Sequence, residues 1–463
     1  MTLSWSSSGW DVHLDWRPDT GARGLAEAIR AAIRDRRLTP GTAMPSTREL
    51  AKDLGIARGT VTRVYADLSA EGYLHTSQGA ATKVRDLHPA APVSAPRLRA
   101  AEPAVHRGFA PGSPDVSLFP RDRWLSATRR VLQRAPTALF GYPDERGSVT
   151  LREALAGYLA RTRGVLADPE RIVVCAGFSH AMALLARVLR DRGAEEIAFE
   201  CPSLPQFRAV AKAAAEVRIA GVPVDEHGLR VSELDSPAVV LTPAHQYPTG
   251  VPLAPDRRTE LTRWATRTGA MVIEDDYDGE FRFDRQQVGA LQALAPERVA
   301  YVGTASKTLA PGLRIGWLVL PRTLVEPVRA AINATGWRPP ALEQAVLAEL
   351  ISSGGYDQHI RRCRGIYRAR REKLLDAIPD WLVPHGIAAG LQVLLRLPES
   401  GPGEAAVAAA ARRRGLGVEM LGRHWIGEGP HPQGIVVGYA TPAEHAFGPT
   451  LQTFLDVLAE VSR

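Results

Sequence analysis

Cysteine is scarce: Cys175, Cys201 and Cys363 are the three in 463 residues. They are widely spaced and lack CxxC partners or histidine partners, so a disulfide framework or a zinc module finds no support. They read as reduced residues in a reducing compartment, two of them at strand ends. No apolar run is long enough to cross a bilayer. The opening Met1-Thr-Leu-Ser-Trp-Ser-Ser-Ser8 lacks the charged-then-apolar pattern of a signal peptide. No internal repeat is visible. These absences lead to the expectation of a cytoplasmic protein without membrane or metal partners.

What is present is ordinary in bulk. Hydrophobic residues make up 45% and charged residues 23%, as in soluble globular proteins. At 463 residues the chain is too long for one core, and two or three domains are expected. Lysine and arginine number 57 against 50 acidic residues, a net charge of +7, with a pI near 9.5. That balance permits contact with a polyanion, and it is also what an ordinary solvated surface carries.

Three textures divide the chain, predicting domains at 1–86 and 109–463 joined by a linker at 87–108. The first is dense in short helical patterns. Leu25, Ile29 and Ile33, with Ala28 and Ala32, make one apolar helix face. Ser46 or Thr47 caps a second helix through Leu50, Ala51 and Leu54, closed by Gly55. A third turns Val61, Val64, Tyr65 and Leu68 inward. A short strand then begins near Leu74, with Gln78-Gly79 as a hairpin tip and Thr82–Val84 returning. Three short helices and a two-stranded wing describe a winged helix-turn-helix, a reader of double-stranded DNA. Ser46, Arg48, Arg58, Thr60 and Arg63, with Gln78 and Gly79 of the wing, are its candidate contacts. Arginine forks suit guanine edges or phosphates, and hydroxyls suit phosphates.

The linker is rich in proline and alanine, with Pro89, Pro92, Pro96 and Pro103 close together, and should be extended. From Phe109 the texture alternates. Apolar strand-like runs at Ile172–Val174, Ile197–Phe199, Val239–Leu241, Met271–Ile273, Val299–Val302 and Ile315–Leu320 are separated mostly by helical stretches. An α/β domain with a mostly parallel sheet is expected, followed by a long helix at Tyr356–Ile378 and a smaller α+β lobe.

The most informative stretch runs from Thr304 to Gly316. It places Lys307 just past a strand-like run and seven positions before Arg314. An amine for an imine and a cation for a phosphate are what a pocket for pyridoxal 5'-phosphate (PLP) needs. Asp275 follows a buried strand and suits the pyridinium nitrogen, and Tyr277 suits the ring hydroxyl. Gly177, Phe178 and Ser179 lie between a strand and a helix start, where a phosphate binds well. Thr304 and Arg314 complete the phosphate shell. Singly these signals are weak, since a lone lysine in a Gly- and Pro-flanked loop is usually a surface residue. Their order along the chain carries the reading.

Two resemblances follow from these motifs. Met44-Pro-Ser-Thr-Arg-Glu-Leu-Ala51, the run from Leu54 to Tyr65 and Glu71-Gly-Tyr-Leu74 resemble the GntR family of bacterial regulators from Leu25 to Val84. The later order of Gly177-Phe-Ser, Pro248-Thr-Gly250, Asp275 with Tyr277, Ser306-Lys307 and Arg314 resembles fold-type I aminotransferases, from Phe109 to the C-terminus. The combination resembles the MocR subfamily of GntR-type transcriptional regulators. That resemblance implies that Lys307 forms the imine with PLP and that Asp275 pairs the pyridine nitrogen. It also implies a homodimer in which Tyr142 contacts the phosphate bound by the partner subunit.

The sequence departs from active aminotransferases in informative ways. Tyr247 stands where asparagine usually precedes Pro-Thr-Gly. Pro202-Ser-Leu-Pro205 puts Leu204 where an aromatic ring often stacks on the cofactor, and Phe178 replaces a small polar residue. Ile435-Val-Val-Gly-Tyr-Ala440 lacks the arginine that clamps a substrate carboxylate, leaving Arg423 as the nearest candidate. The expected function is a PLP-dependent regulator that senses PLP or an amino-acid-like compound, with PLP synthesis as a plausible target. The alternatives are a working aminotransferase carrying a DNA-binding head, and a repressor whose second domain is only a scaffold.

Overall fold

The computed structural model of the chain describes residues 6–7, 10–11, 14–76, 80–86, 108–283 and 288–462. They form two compact units, residues 1–102 and 103–463. No helix among them is long and apolar enough to cross a membrane.

The first unit opens with a short ladder of β1 (Ser6–Ser7) and β2 (Trp10–Asp11). Three helices follow: α1 (Gly21–Arg34), α2 (Thr47–Leu54) and α3 (Arg58–Ala70). In α1 the buried side chains are the predicted apolar face plus Ala26. Ser46 caps α2 in a complete capping box with Glu49, which satisfies two donors at the helix start. Gly55 ends α2 at φ +65°, a left-handed conformation that favours glycine. In α3 the buried set is Val61, Val64, Tyr65 and Leu68. The Tyr65 hydroxyl donates to the Pro45 carbonyl at 3.1 Å, fastening α3 to the approach of α2. The wing strands β3 (Leu74–His75) and β4 (Lys83–Val84) pair antiparallel. Leu14 and Trp16 join this core ahead of α1, a contribution the helical pattern does not announce.

The second unit begins with α4 (Arg121–Arg134) and α5 (Val149–Arg163). Then come β5 (Ile172–Cys175), α6 (Phe178–Asp191), β6 (Glu196–Cys201), α7 (Pro205–Ala215), β7 (Arg218–Asp225), β8 (Gly228–Leu229), β9 (Ala238–Leu241), α8 (Pro255–Thr268), β10 (Met271–Asp275), β11 (Val299–Thr304) and β12 (Gly316–Val319). The sheet order is β5-β12-β11-β10-β9-β6-β7-β8. Pairings among β6, β7, β9, β10 and β11 are parallel, while β12 runs antiparallel to both β11 and β5. Strands β5, β9, β10, β11 and β12 are buried along their whole length, as strands covered on both faces must be.

Helices α9 (Arg322–Thr335), α10 (Ala341–Ser352) and the 23-residue α11 (Gly355–Ala377) lead to the C-terminal lobe. The lobe holds β13 (Val383–His385), β14 (Val393–Arg396), α12 (Glu404–Arg413), β15 (Glu419–Met420), β16 (Gly434–Val437) and α13 (Glu444–Val461). Its four strands lie antiparallel in the order β13-β14-β16-β15. The sequence pattern marks only the two inner strands, because β13 and β15 are three and two residues long.

Candidate functional site

Strands β5, β6, β9, β10 and β11 run in the same sense, so their carboxyl ends share one edge of the sheet. Open α/β sheets bind ligands at that edge. A cavity of about 420 Å³ lies there. Its lining includes Gly177, Phe178, Ser179, Asp275, Tyr277, Thr304, Lys307 and Arg314, so the fold gathers eight of the nine cofactor candidates into one wall. The ninth, Tyr142, is fully exposed and does not line this cavity.

Lys307 follows β11 on a turn and is half-buried, and its amine donates to the Gly112 carbonyl. Burial lowers its pKa below the ordinary lysine range, and the Asp275 and Asp278 carboxylates push it back up. Asp275, the last residue of β10, is buried. Burial drives its carboxyl well above the usual range, opposed by the Lys307 amine. The Tyr277 hydroxyl accepts from Gln392 Nε2 at 2.6 Å and lies 3.2 Å from His245 Nδ1, which is 2.7 Å from Asp278.

The helix start at α6 is built for close approach. Gly177 has φ +92°, and a Cβ at Gly316 would sit 2.7 Å from the Gly177 Cα, so both positions need glycine. His180 and Ala181 donate their amides to the Gly177 carbonyl, leaving those of Phe178 and Ser179 at the open helix end. Thr304 Oγ1 donates to Ser306 Oγ at 2.9 Å beside it. Arg314 is one of three non-glycine residues at positive φ among the described residues, at +52°. Such strain collects where a side chain must be aimed. The Phe178 ring packs on Phe207, with centroids 4.4 Å apart, so this residue contributes side chain to the core and backbone to the cavity.

The candidate nucleic-acid contacts are exposed in the first unit. Ser46, Arg48, Arg58 and Arg63 are exposed and Thr60 is half-buried. Ser46 Oγ accepts from the Glu49 amide, so its hydroxyl already serves the helix cap. Arg58 Nε donates to Thr47 Oγ1 at 3.3 Å, which joins the starts of α2 and α3 on one face. Gln78 and Gly79 lie outside the described residues.

Both units match known families. Residues 22–84 match "Bacterial regulatory proteins, gntR family" and residues 112–415 match "Aminotransferase class I and II". The chain is 34% identical over 447 residues to the HTH-type pyridoxine biosynthesis transcriptional regulator PdxR of Corynebacterium glutamicum, covering 95% of this chain and 94% of that one. It is also 34% identical over 446 residues to the probable rhizopine catabolism regulatory protein MocR of Rhizobium meliloti, covering 90% of each. The chain belongs to the MocR subfamily of GntR-type regulators.

A crystal structure of an archaeal alanine:glyoxylate aminotransferase superposes with a TM-score of 0.68 at 25% identity, covering 76% of this chain and 90% of that one. This MocR-type chain is therefore a DNA-binding transcriptional regulator with a fold-type I aminotransferase fold, and PLP is its cofactor. The residues present fit that group: a lysine amine with a depressed pKa, a buried carboxylate facing it, and a helix start flanked by an arginine.

Several residues of this MocR-type cavity escape a motif reading. Glu200 lines it, pushed to about 7 by burial and held by the Thr242 amide and hydroxyl and by Gln246. Glu419 lines it too, 2.8 Å from Arg423, the clamp candidate of the sequence, and the Tyr247 hydroxyl donates to Glu419 at 3.2 Å. Glu419 lies on a two-residue strand and carries no motif; its place four positions before Arg423 is a local signal, and its bond to Tyr247 appears only in space. Asp276 receives two hydrogen bonds from Arg163, at 2.6 and 2.9 Å, and one from Tyr301 at 2.8 Å, which braces the backbone next to Asp275.

Proposed function

We propose that this regulator responds to PLP itself, taken up at Lys307, and that it controls genes for PLP synthesis. When bound, PLP supplies an aldehyde that a lysine amine can hold covalently. In this reading Lys307 provides that amine and Asp275 faces the ring nitrogen. Tyr277 meets the ring hydroxyl. Thr304, Arg314 and the helix start at Gly177, Phe178 and Ser179 take the phosphate. Arg48, Arg58, Thr60 and Arg63 contact the operator, with Ser46 as the cap that orients α2 and with Gln78 and Gly79 at the wing. The domains are taken as 1–86 and 109–463, with a linker at 87–108.

The observation that carries the choice of PLP over an amino acid is the make-up of β16. Val436 is fully buried there in a cluster with Tyr247, Leu394 and Leu421, in the strand where an arginine clamp for a carboxylate is expected. The name of the Corynebacterium glutamicum relative, a regulator of pyridoxine biosynthesis, agrees with this choice. A homodimer is part of the reading. Leu125, Leu132, Phe140, Tyr142 and Val149 are exposed apolar side chains of the second unit, and a second copy would cover them. Tyr142 would then reach the phosphate of the partner subunit.

The test is operator binding by the full chain, with PLP alone and with PLP plus a panel of amino acids. A change in affinity with PLP alone is expected, since a ligand acts only through different affinity for two states. No response to PLP, or a response only when an amino acid is added, overturns the reading.

A further inference from the structure

The mouth of the cavity contains a chain of three groups that the cofactor reading leaves unused. Tyr247 Oη donates to Glu419 Oε2 at 3.2 Å, and Glu419 Oε1 lies 2.8 Å from Arg423 Nη1. Tyr247 is buried and the Glu419 side chain is only 16% exposed, whereas that of Arg423 is 61% exposed. The acid is therefore the enclosed member of the pair and the base the solvent-facing one.

The turn that carries Arg423 is pinned on both sides. The Glu404 carboxylate accepts from the amides of Gly422 and Gly434, at 2.9 to 3.1 Å. The His424 carbonyl accepts from the Ser203 amide at 3.0 Å and from Arg208 at 2.9 Å. These bonds hold the backbone on both sides of Arg423, whose side chain reaches the cavity lining. The cations among the residues lining the cavity are Lys307, Arg314 and Arg423. Lys307 and Arg314 are taken by the cofactor reading, so among the described lining residues Arg423 is the cation left to meet a carboxylate, and Glu419 already occupies it.

We infer that Glu419, held by Tyr247, is a specificity-determining residue. It neutralises Arg423 and so denies amino acids their carboxylate contact, leaving the cavity to PLP and to primary amines without a carboxylate. The inference rests on the reading of this cavity as the PLP site. It also links two departures that are unrelated in sequence: the tyrosine in place of asparagine at 247 supplies the hydroxyl that holds the acid masking Arg423.

The test compares L-alanine with ethylamine, which differ by the carboxylate, as titrants of the PLP-loaded full chain. Dissociation constants are read from the visible absorbance. In the wild type alanine binds no tighter than ethylamine. Glu419→Gln frees Arg423 and shifts the ratio toward alanine by about tenfold or more, the scale of one charge-assisted contact. Adding Arg423→Met to Glu419→Gln removes that gain. Tyr247→Phe, which keeps the ring and loses only the hydroxyl, shifts the ratio the same way by less, and serves if Glu419→Gln fails to fold. Arg423→Met alone leaves the ratio unchanged. A Glu419→Gln protein that takes up PLP with an unaltered ratio overturns the inference, as does a wild-type preference for alanine that Arg423→Met abolishes. Failure of the wild type to take up PLP overturns the cofactor reading and this inference together.

Discussion

Arg163 grips Asp276 with two parallel hydrogen bonds of 2.6 and 2.9 Å, and both side chains are almost fully buried, at 4% and 1% exposure. Asp276 directly follows Asp275, so the pair fixes the backbone from which the carboxylate nearest Lys307 projects. Removing one partner of a buried pair strands the other charge. Arg163→Met should cost about 3–5 kcal/mol on that ground. Chemical denaturation of the second unit checks this. Arg329→Ala, which breaks solvent-accessible pairs with Glu326 and Glu145, should leave the same transition nearly unmoved.

The Lys307 amine carries a pH prediction. Burial lowers its pKa below the ordinary 10.5, and the Asp275 charge opposes that shift. Only the neutral amine is a nucleophile. The rate of PLP uptake should therefore rise with pH and level off below 10.5. Asp275→Asn removes the opposing charge, so the levelling should move to lower pH. A profile that moves upward contradicts the electrostatics. Lys307→Ala should abolish borohydride trapping of PLP altogether.

Gly316 and Gly177 approach so closely that a methyl group does not fit. A Cβ at Gly316 would meet the Gly177 Cα at 2.7 Å and its amide nitrogen at 2.9 Å, both backbone atoms that cannot rotate aside. Gly316→Ala should displace the start of α6 and weaken PLP binding at least tenfold in a fluorescence titration. Gly312→Ala, with nothing within 4 Å of the added atom, is the matched control.

Arg58 sits at the start of α3, exposed and bonded to Thr47. Arg58→Ala should lower operator affinity about tenfold, and should flatten the slope of log affinity against log salt by about 0.9 if the contact is to one phosphate. Equal affinity and slope would remove Arg58 from the interface.

Local elements were largely readable before the fold was known. The apolar faces of α1 and α3 and the buried runs of β5, β9, β10 and β11 each follow from spacing alone, while the choice of Ser46 over Thr47 as the cap of α2 came only with the fold. Short edge elements were not. Strands β13 and β15 contain too few residues to show an alternation, and Leu14 and Trp16 lie in no periodic segment at all. The same division holds at the site. Lys307, Asp275 and Gly177 belong to recognisable runs, while Glu200, Gln392 and Glu419 are single polar residues whose surroundings in sequence are unremarked.

Sequence by itself determined what is local and ordered: the periodic faces, the caps, and the succession of strand ends that carry an amine, a carboxylate and an anion-binding helix start. It also determined the family, through motifs that run in a set order. Only the tertiary structure decided how distant charges pair: Arg163 meets Asp276 from 113 positions away. Glu419 stands four positions before Arg423 and lies 2.8 Å from it, but only the fold brings up the Tyr247 hydroxyl that holds this acid from 172 positions away. Electrostatic pairing depends on distance through space, and chain order does not encode that distance until the strands are laid side by side.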